Sequence, residues 1–207
     1  MLPVLVLAGI AGCAHRTSSA PDLVYQLDRE VIALRERLDR CQAQVLACGA
    51  PQQPARIYAE LVQVLPPGQV TLSREGATTL VTIPHDVLFA DGDPRLRAES
   101  RMLLDLLATA LQLHPDQAVV VEGHSDDTGA PPALRRTYPT PWRYSALLAA
   151  SVAEILVDYF EVDARRVSVA ALGAVQPVSD NDTPEGRRAN RRIVVRILPP
   201  PPGGDDP

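Results

Sequence analysis

The hydrophobic period of this chain changes once, and the change divides it. Val24, Leu27, Val31, Leu34, Leu38, Cys41, Val45 and Cys48 follow one another at alternating spacings of 3 and 4. No proline interrupts them, so the stretch predicts one helix with a heptad seam. From Val70 onward, short β-branched runs alternate with two longer helical patterns. The twenty prolines of the 207 residues further exclude an all-helical bundle. The second part therefore predicts an α+β sandwich, its helices packed on a mixed sheet.

In the first part, valine falls at a (Val24, Val31, Val45) and leucine at d (Leu27, Leu34), a pairing that favours parallel two-stranded coils. Glu30 at g and Arg35 at the following e attract one another across such a dimer. Residues 24–48 would span roughly 37 Å at about 1.5 Å per residue, a useful spacer length. Cys41 and Cys48, both at d, are about 10.5 Å apart along a helix, too far to be bridged within it. They are read as interchain bridges of a parallel homodimer, or as one small intrachain loop if the helix frays near Gly49.

The chain opens MLPVLVLAGIAGC. This apolar run is too short to span a bilayer, which takes about 20 residues, and suits a signal peptide. Ile10-Ala11-Gly12-Cys13 resembles a bacterial lipobox, which implies cleavage before Cys13 and acylation of its thiol, palmitate included. Several acyl chains would hold the chain stably at a lipid membrane, where one is marginal. Ala14, rather than aspartate, follows the cysteine and leans the expected location to the periplasmic face of the cell outer membrane. No Lys or Arg precedes the apolar run, a departure from the usual signal.

The second part reads element by element. Gly49 to Pro54 is a linker, and Arg56 to Leu65 has helical spacing at Ile57, Leu61 and Val64. Val70–Arg74 and Thr79–Ile83 flank Glu75-Gly76-Ala77 as a hairpin. Asp93-Pro94 is read as a helix start, with an N-cap acid and proline at N1. That helix would run to about Leu113 and bury Leu96, Leu103, Leu107 and Leu111. Ala118–Val121 is a continuous apolar run, expected to be a central strand buried on both faces. A second helix is expected from about Trp142 to Phe160, then strands at Val167–Leu172 and Ile193–Leu198.

Three stretches carry a resemblance. Val87-Leu88-Phe89-Ala90-Asp91-Gly92 is similar to "vLFdsG". Glu122-Gly123-His124-Ser125-Asp126-Asp127-Thr128-Gly129 is similar to "GHTDxxG", and Pro184 to Val194 to "egRxxNRRVei". In this order and context they resemble the OmpA-like C-terminal domain of Pal-type lipoproteins and MotB-type stator proteins. The resemblance covers roughly Val70 to Pro199. It implies a βαβαβ domain that holds peptidoglycan non-covalently through the diaminopimelate of the stem peptide. In that family the aspartate of GHTD receives the ligand ammonium, and an arginine on the second helix forks onto its carboxylate.

Asp126 matches that aspartate, and Ser125, Asp127 and Thr128 complete the candidate ligand loop. The family's "NxxLSxxRA" reads differently here. Pro141 stands at the asparagine and Leu148 at the arginine, and leucine cannot bind a carboxylate. Losing such a charge-assisted contact costs about 1.5–3 kcal/mol, so the site is expected to be altered or weakened. Arg135, Arg136 or Arg143 could supply a guanidinium from another direction. Arg191 and Arg192, with Asn190, are read as stabilising the fold.

The expected organisation is a signal peptide at 1–12, a lipidated N-terminus and linker at 13–21 and a short N-terminal coiled-coil helix at 22–48. A linker with a short helix follows at 49–69, then the OmpA-like domain at 70–199 and a disordered tail at 200–207. A net charge of −5 argues against nucleic acid. Arginine fills all twenty basic positions, which reflects base preference more than ligand chemistry. His124, Asp126 and Asp127 cluster without a further ligand at telling spacing, so no metal or cofactor is expected. His15, His85 and His114 are read as surface or loop residues. With no nucleophile–base pair, the chain is not read as an enzyme. Two function classes remain: a peptidoglycan-binding envelope lipoprotein, or a protein-interaction module of an envelope complex that has given up the wall.

Overall fold

The computed structural model describes residues 29–38, 40, 56–90 and 93–200. Cys13 and its lipobox, Cys41, Cys48, both ends of the heptad seam, Asp91, Gly92 and the tail beyond residue 200 lie outside the described residues. The chain divides into two units, residues 1–50 and 51–207. In the first, residues 29–38 and 40 are helical and every described side chain is exposed, Val31, Leu34 and Leu38 included.

The second unit begins with α1 (Arg56–Val64), which buries Ile57 and Leu61. Leu65 completes that stripe at the next step of four, while Val64 faces outward. The strands β1 (Thr71–Glu75) and β2 (Thr78–Pro84) form the expected hairpin. Its turn needs Gly76, whose φ is 59°, in the left-handed region where a Cβ is disfavoured. A single helical turn, α2 (His85–Leu88), then leads away from the sheet.

The next helix, α3 (Ser100–Leu113), starts later than Asp93-Pro94 predicts. The Asp93 carboxylate is committed to Arg95, accepting its backbone N–H at 2.9 Å and its guanidinium at 2.7 Å. Leu96 forms a β-bridge with Phe89, and Arg97 donates its N–H to Leu88. Leu96 and Arg97 therefore pair with the preceding segment instead of winding, and a turn at 98–99 opens the helix. From Ser100 the helix buries Leu103, Leu104, Leu107 and Leu111, with Leu96 only half-buried. Its C-terminal carbonyls are held by Arg166, which donates to Leu111 at 3.1 Å and to His114 at 2.6 Å.

The strands β3 (Val119–His124), β4 (Val167–Gly173) and β5 (Arg192–Ile197) complete a five-stranded mixed sheet of order β1-β2-β5-β3-β4. Only β3 and β4 pair in parallel. Val119 and Val121 are buried, but Val120 and Glu122 on the opposite face are only half-buried. The expectation of a strand buried on both faces is thus corrected. The back of the sheet carries a charged row, in which Arg196 meets Glu75 at 3.0 Å and Glu122 at 3.4 Å.

The helix α4 (Pro141–Glu154) crosses β3 and β4 on the core face and continues into a π-helical turn at Ile155–Tyr159. The crossing is close because residue 123 is glycine. A Cβ there would lie 2.1 Å from the Ser145 carbonyl oxygen. Ser145 accepts the Gly173 N–H at 3.0 Å and so ties the helix to β4. A last short helix, α5 (Pro184–Asn190), leads into β5.

Candidate functional site

Where β3 ends, its backbone must leave the sheet, and the side chain of Asp126 organises the departure. Oδ1 accepts the Thr128 N–H at 3.0 Å, the Thr128 hydroxyl at 2.7 Å and the Gly129 N–H at 3.2 Å. This is an Asx-type turn built by an aspartate that binds the backbone two and three residues on. Oδ2 accepts Nη1 of Arg191 at 2.5 Å. Asp126 is fully buried, whereas the Arg191 side chain keeps about a third of its surface exposed.

Arg191 reaches this position because the β3–β5 register sets Arg192 opposite His124. Its backbone is fixed on both sides, the N–H donating to Arg187 and the carbonyl accepting from His85. A cleft of about 280 Å³ opens over the pair, lined by Asp126, Thr128, Arg135, Tyr144 and Arg191 among others. A second hollow of about 300 Å³ is lined by His85, Asp86, Arg188 and Arg191. Arg188 donates to Asp86 at its rim.

The residues singled out from sequence separate clearly. Asp126 and Thr128 line the cleft, while Ser125 is buried with its hydroxyl on the Asp126 carbonyl at 2.9 Å. Asp127 is exposed and does not belong to the lining. Of the three arginines, Arg135 lines the cleft, its Nε fixed on the Ala130 carbonyl at 3.0 Å. Arg136 and Arg143 are exposed and outside the lining, the Arg143 N–H serving the Thr140 cap of α4. Pro141 opens that helix at its first turn, where proline lacks nothing the helix needs. Leu148 is 2% exposed and belongs to the hydrophobic core.

Arg191 differs from its neighbours in that it pairs with a buried carboxylate and also lines the cleft. Asn190 and Arg192 do serve the fold. Asn190 Oδ1 accepts the N–H groups of Val178 and Ser179, and Arg192 donates to the Gln176 carbonyl. Arg191 instead faces the cleft, and its partner lies 65 residues away in sequence. His85, read as a surface residue, is buried and lines both hollows. His114 is mostly buried too, its Nε2 2.9 Å from Glu60.

His124 stands on the other side of the strand end. It is 3% exposed, and neither ring nitrogen makes a hydrogen bond among the described residues. Nε2 lies 3.7 Å from Glu122, too long for one. Burial, helped by the nearby Arg192 charge, pushes its pKa down to about 4.

With this geometry in hand, the relationships are plain. A model of the OmpA family matches residues 88–191, half of the chain. The chain belongs to the OmpA family. The matched stretch runs from the turn before α3 to Arg191, so it contains the whole cleft lining from Asp126 onward. Motility protein B of Bacillus subtilis is 30% identical over 120 residues, covering 58% of this chain and 45% of that protein. Probable lipoprotein YiaD of Escherichia coli is 31% identical over 130 residues, covering 63% and 56%. The solved structure of the cell wall anchor of the T6SS from Pseudomonas aeruginosa is 32% identical, with a TM-score of 0.59. It covers 72% of this chain and 98% of its own. The chain spans about half the length of these two curated relatives.

Proposed function

We propose that this OmpA-family domain holds peptidoglycan non-covalently in the cleft over Asp126, through an altered diaminopimelate site. One observation carries the reading: Arg135 and Arg191 line the cleft while position 148 is a core leucine. The guanidinium expected from α4 is replaced by one from the loop before it. A guanidinium fork suits a carboxylate whichever element presents it. Likeness to a cell wall anchor supports the wall as ligand.

The rest of the chain fits a tether. Cys13, acylated, anchors the protein on the periplasmic face of the outer membrane, and likeness to a probable lipoprotein supports this. The helix at 22–48 spaces the domain from the lipid and pairs with a second copy in parallel, with Cys41 and Cys48 as interchain disulfides. The exposed Val31, Leu34 and Leu38 support that pairing. Chemical work on substrate forms no part of this role.

The test is sedimentation of the full chain with purified sacculi. Wild type is expected in the pellet, with Arg135→Ala reduced about tenfold, the usual worth of one charge-assisted contact. A second reading, an envelope interaction module without wall affinity, is favoured by the loss of arginine at position 148. It becomes the better account if wild type stays in the supernatant.

A further inference from the structure

We infer that Trp142 is a stacking platform for a pyranose ring, where an N-acetylhexosamine of the wall glycan meets this domain. The inference rests on the wall-binding reading for the source of the sugar, while its geometry is that of the indole itself. Trp142 is the one tryptophan of the chain. It stands in the first turn of α4 and is 49% exposed, although Tyr144 and Ser145 beside it are buried. Its floor is glycine backbone. Gly173 ends β4 with φ 52°, and a Cβ there would lie 3.3 Å from Cδ2 of the indole and 3.2 Å from its backbone nitrogen. With no side chain between them, one edge of the ring rests on the strand end. Ser145 pins the two together, its hydroxyl donating to the Trp142 carbonyl at 3.1 Å and accepting the Gly173 N–H at 3.0 Å. A ring seated on a fixed backbone is organised before any ligand arrives.

The surroundings choose the occupant. Ala146 follows one turn along the helix, and Val175 closes the turn at Gly173 by donating its N–H to the Leu172 carbonyl at 3.3 Å. Val175 is exposed as well. The indole N–H makes no hydrogen bond among the described residues. The surface is therefore flat and apolar, with one unused donor on its rim. A hexopyranose has the matching form, with a face of C–H groups and a rim of hydroxyl and acetamido oxygens. The platform is also continuous with the cleft. Gly129 lines the cleft at φ 66°, and a Cβ on it would lie 3.4 Å from Cγ of Pro141, the residue before Trp142. The Ser125 N–H donates to the Gly173 carbonyl at 2.8 Å, which ties the cleft loop to the floor of the ring. A glycopeptide whose peptide lies in the cleft carries its sugar outside it, and Trp142 is the exposed aromatic surface beside that loop.

Because the chain has a single tryptophan, all indole emission reports on position 142. An N-acetylglucosamine tetramer, a glycan without peptide, is titrated into the full chain while that emission is followed. A saturable change with a dissociation constant in the millimolar range is expected, and a diaminopimelate-containing tripeptide should leave the emission unchanged. No response to the tetramer up to its solubility, or a response to the tripeptide alone, overturns the inference. So does emission that shifts with protein concentration or with phospholipid vesicles but not with sugar, since a second copy or a membrane is then the occupant. Sacculus sedimentation gives the second arm. Trp142→Ala should reduce the pelleted fraction about fivefold and Trp142→Phe less than about twofold, the worth of one aromatic face. Equal pelleting of Trp142→Ala and wild type overturns the platform. A thermal melt reports whether each variant has stayed folded, and the titration of wild type needs no variant. A wild type that binds the tetramer yet stays in the supernatant with sacculi keeps the sugar platform and loses the wall-binding reading.

Discussion

Asp126 and His124 lie two residues apart at the end of one strand, both buried, and they meet burial in opposite ways. Asp126 gathers four donors around its carboxylate. His124 has no hydrogen bond to either ring nitrogen among the described residues and is held neutral near pH 7, because burial and the charge of Arg192 oppose its proton. One residue is held by partners, the other by exclusion. A buried charge survives only when its acceptor positions are filled, whereas a buried neutral imidazole survives at the cost of a lower pKa. The cleft is built on the first solution and backed by the second.

The strongest way to break this contrast is Asp126→Ala. It leaves Arg191 facing an apolar gap and three loop donors without acceptors. The expected loss is about 3–5 kcal/mol of unfolding free energy, read from urea denaturation. If the loss is below about 1 kcal/mol, the four-donor arrangement does not hold the strand end.

A pH series tests the other half. An unfolded histidine takes its proton below about 6.5, while folded His124 resists until about 4. Between those values the unfolded chain binds more protons, so stability falls as pH falls. The contribution is complete above pH 6.5 and lost by pH 4, up to roughly 3 kcal/mol at 1.36 kcal/mol per unit. His124→Leu should remove that slope in this window. An unchanged slope in the variant assigns the effect to another group.

The smallest effect sharpens the comparison by its absence. Asp127, next in sequence but exposed, should change stability by less than about 0.5 kcal/mol when replaced by alanine. Denaturation midpoints of Asp126→Ala and Asp127→Ala, measured side by side, isolate burial from residue type.

Much of the fold was legible because its signals are local. The hairpin follows from β-branched runs around Gly76, and the two long helices from their leucine and alanine stripes. The start of α3 misled because Asp93 has two local uses, as a helix cap or as a partner for Arg95, and the sequence offers both. The short helices α2 and α5, of 4 and 7 residues, are too brief to show a period. Half of the site was legible for a similar reason. Asp126 is marked by its motif, and the loss at position 148 by an alignment within one helix. The partner of Arg191 was not legible, because it depends on strand register between β3 and β5, which no local pattern encodes. The choice of Arg135 over Arg136 and Arg143 needed the path of the loop itself.

The register of the sheet also sets how the domain bears load. Thr71, at the start of β1, pairs with Thr82, and Pro84 pairs with Arg192, which faces His124. The chain therefore enters the sheet at the same end where the cleft opens. A pull between the N-terminal segment and a molecule held in the cleft runs across the strands, not along them. The β1–β2 hydrogen bonds would then be strained one after another, as a zipper opens, instead of sharing the force in shear. What stands before that zipper is α1, whose Ile57 and Leu61 are wholly buried. If the chain serves as the proposed tether, the grip of that one short helix, more than the sheet, would set the force at which it yields.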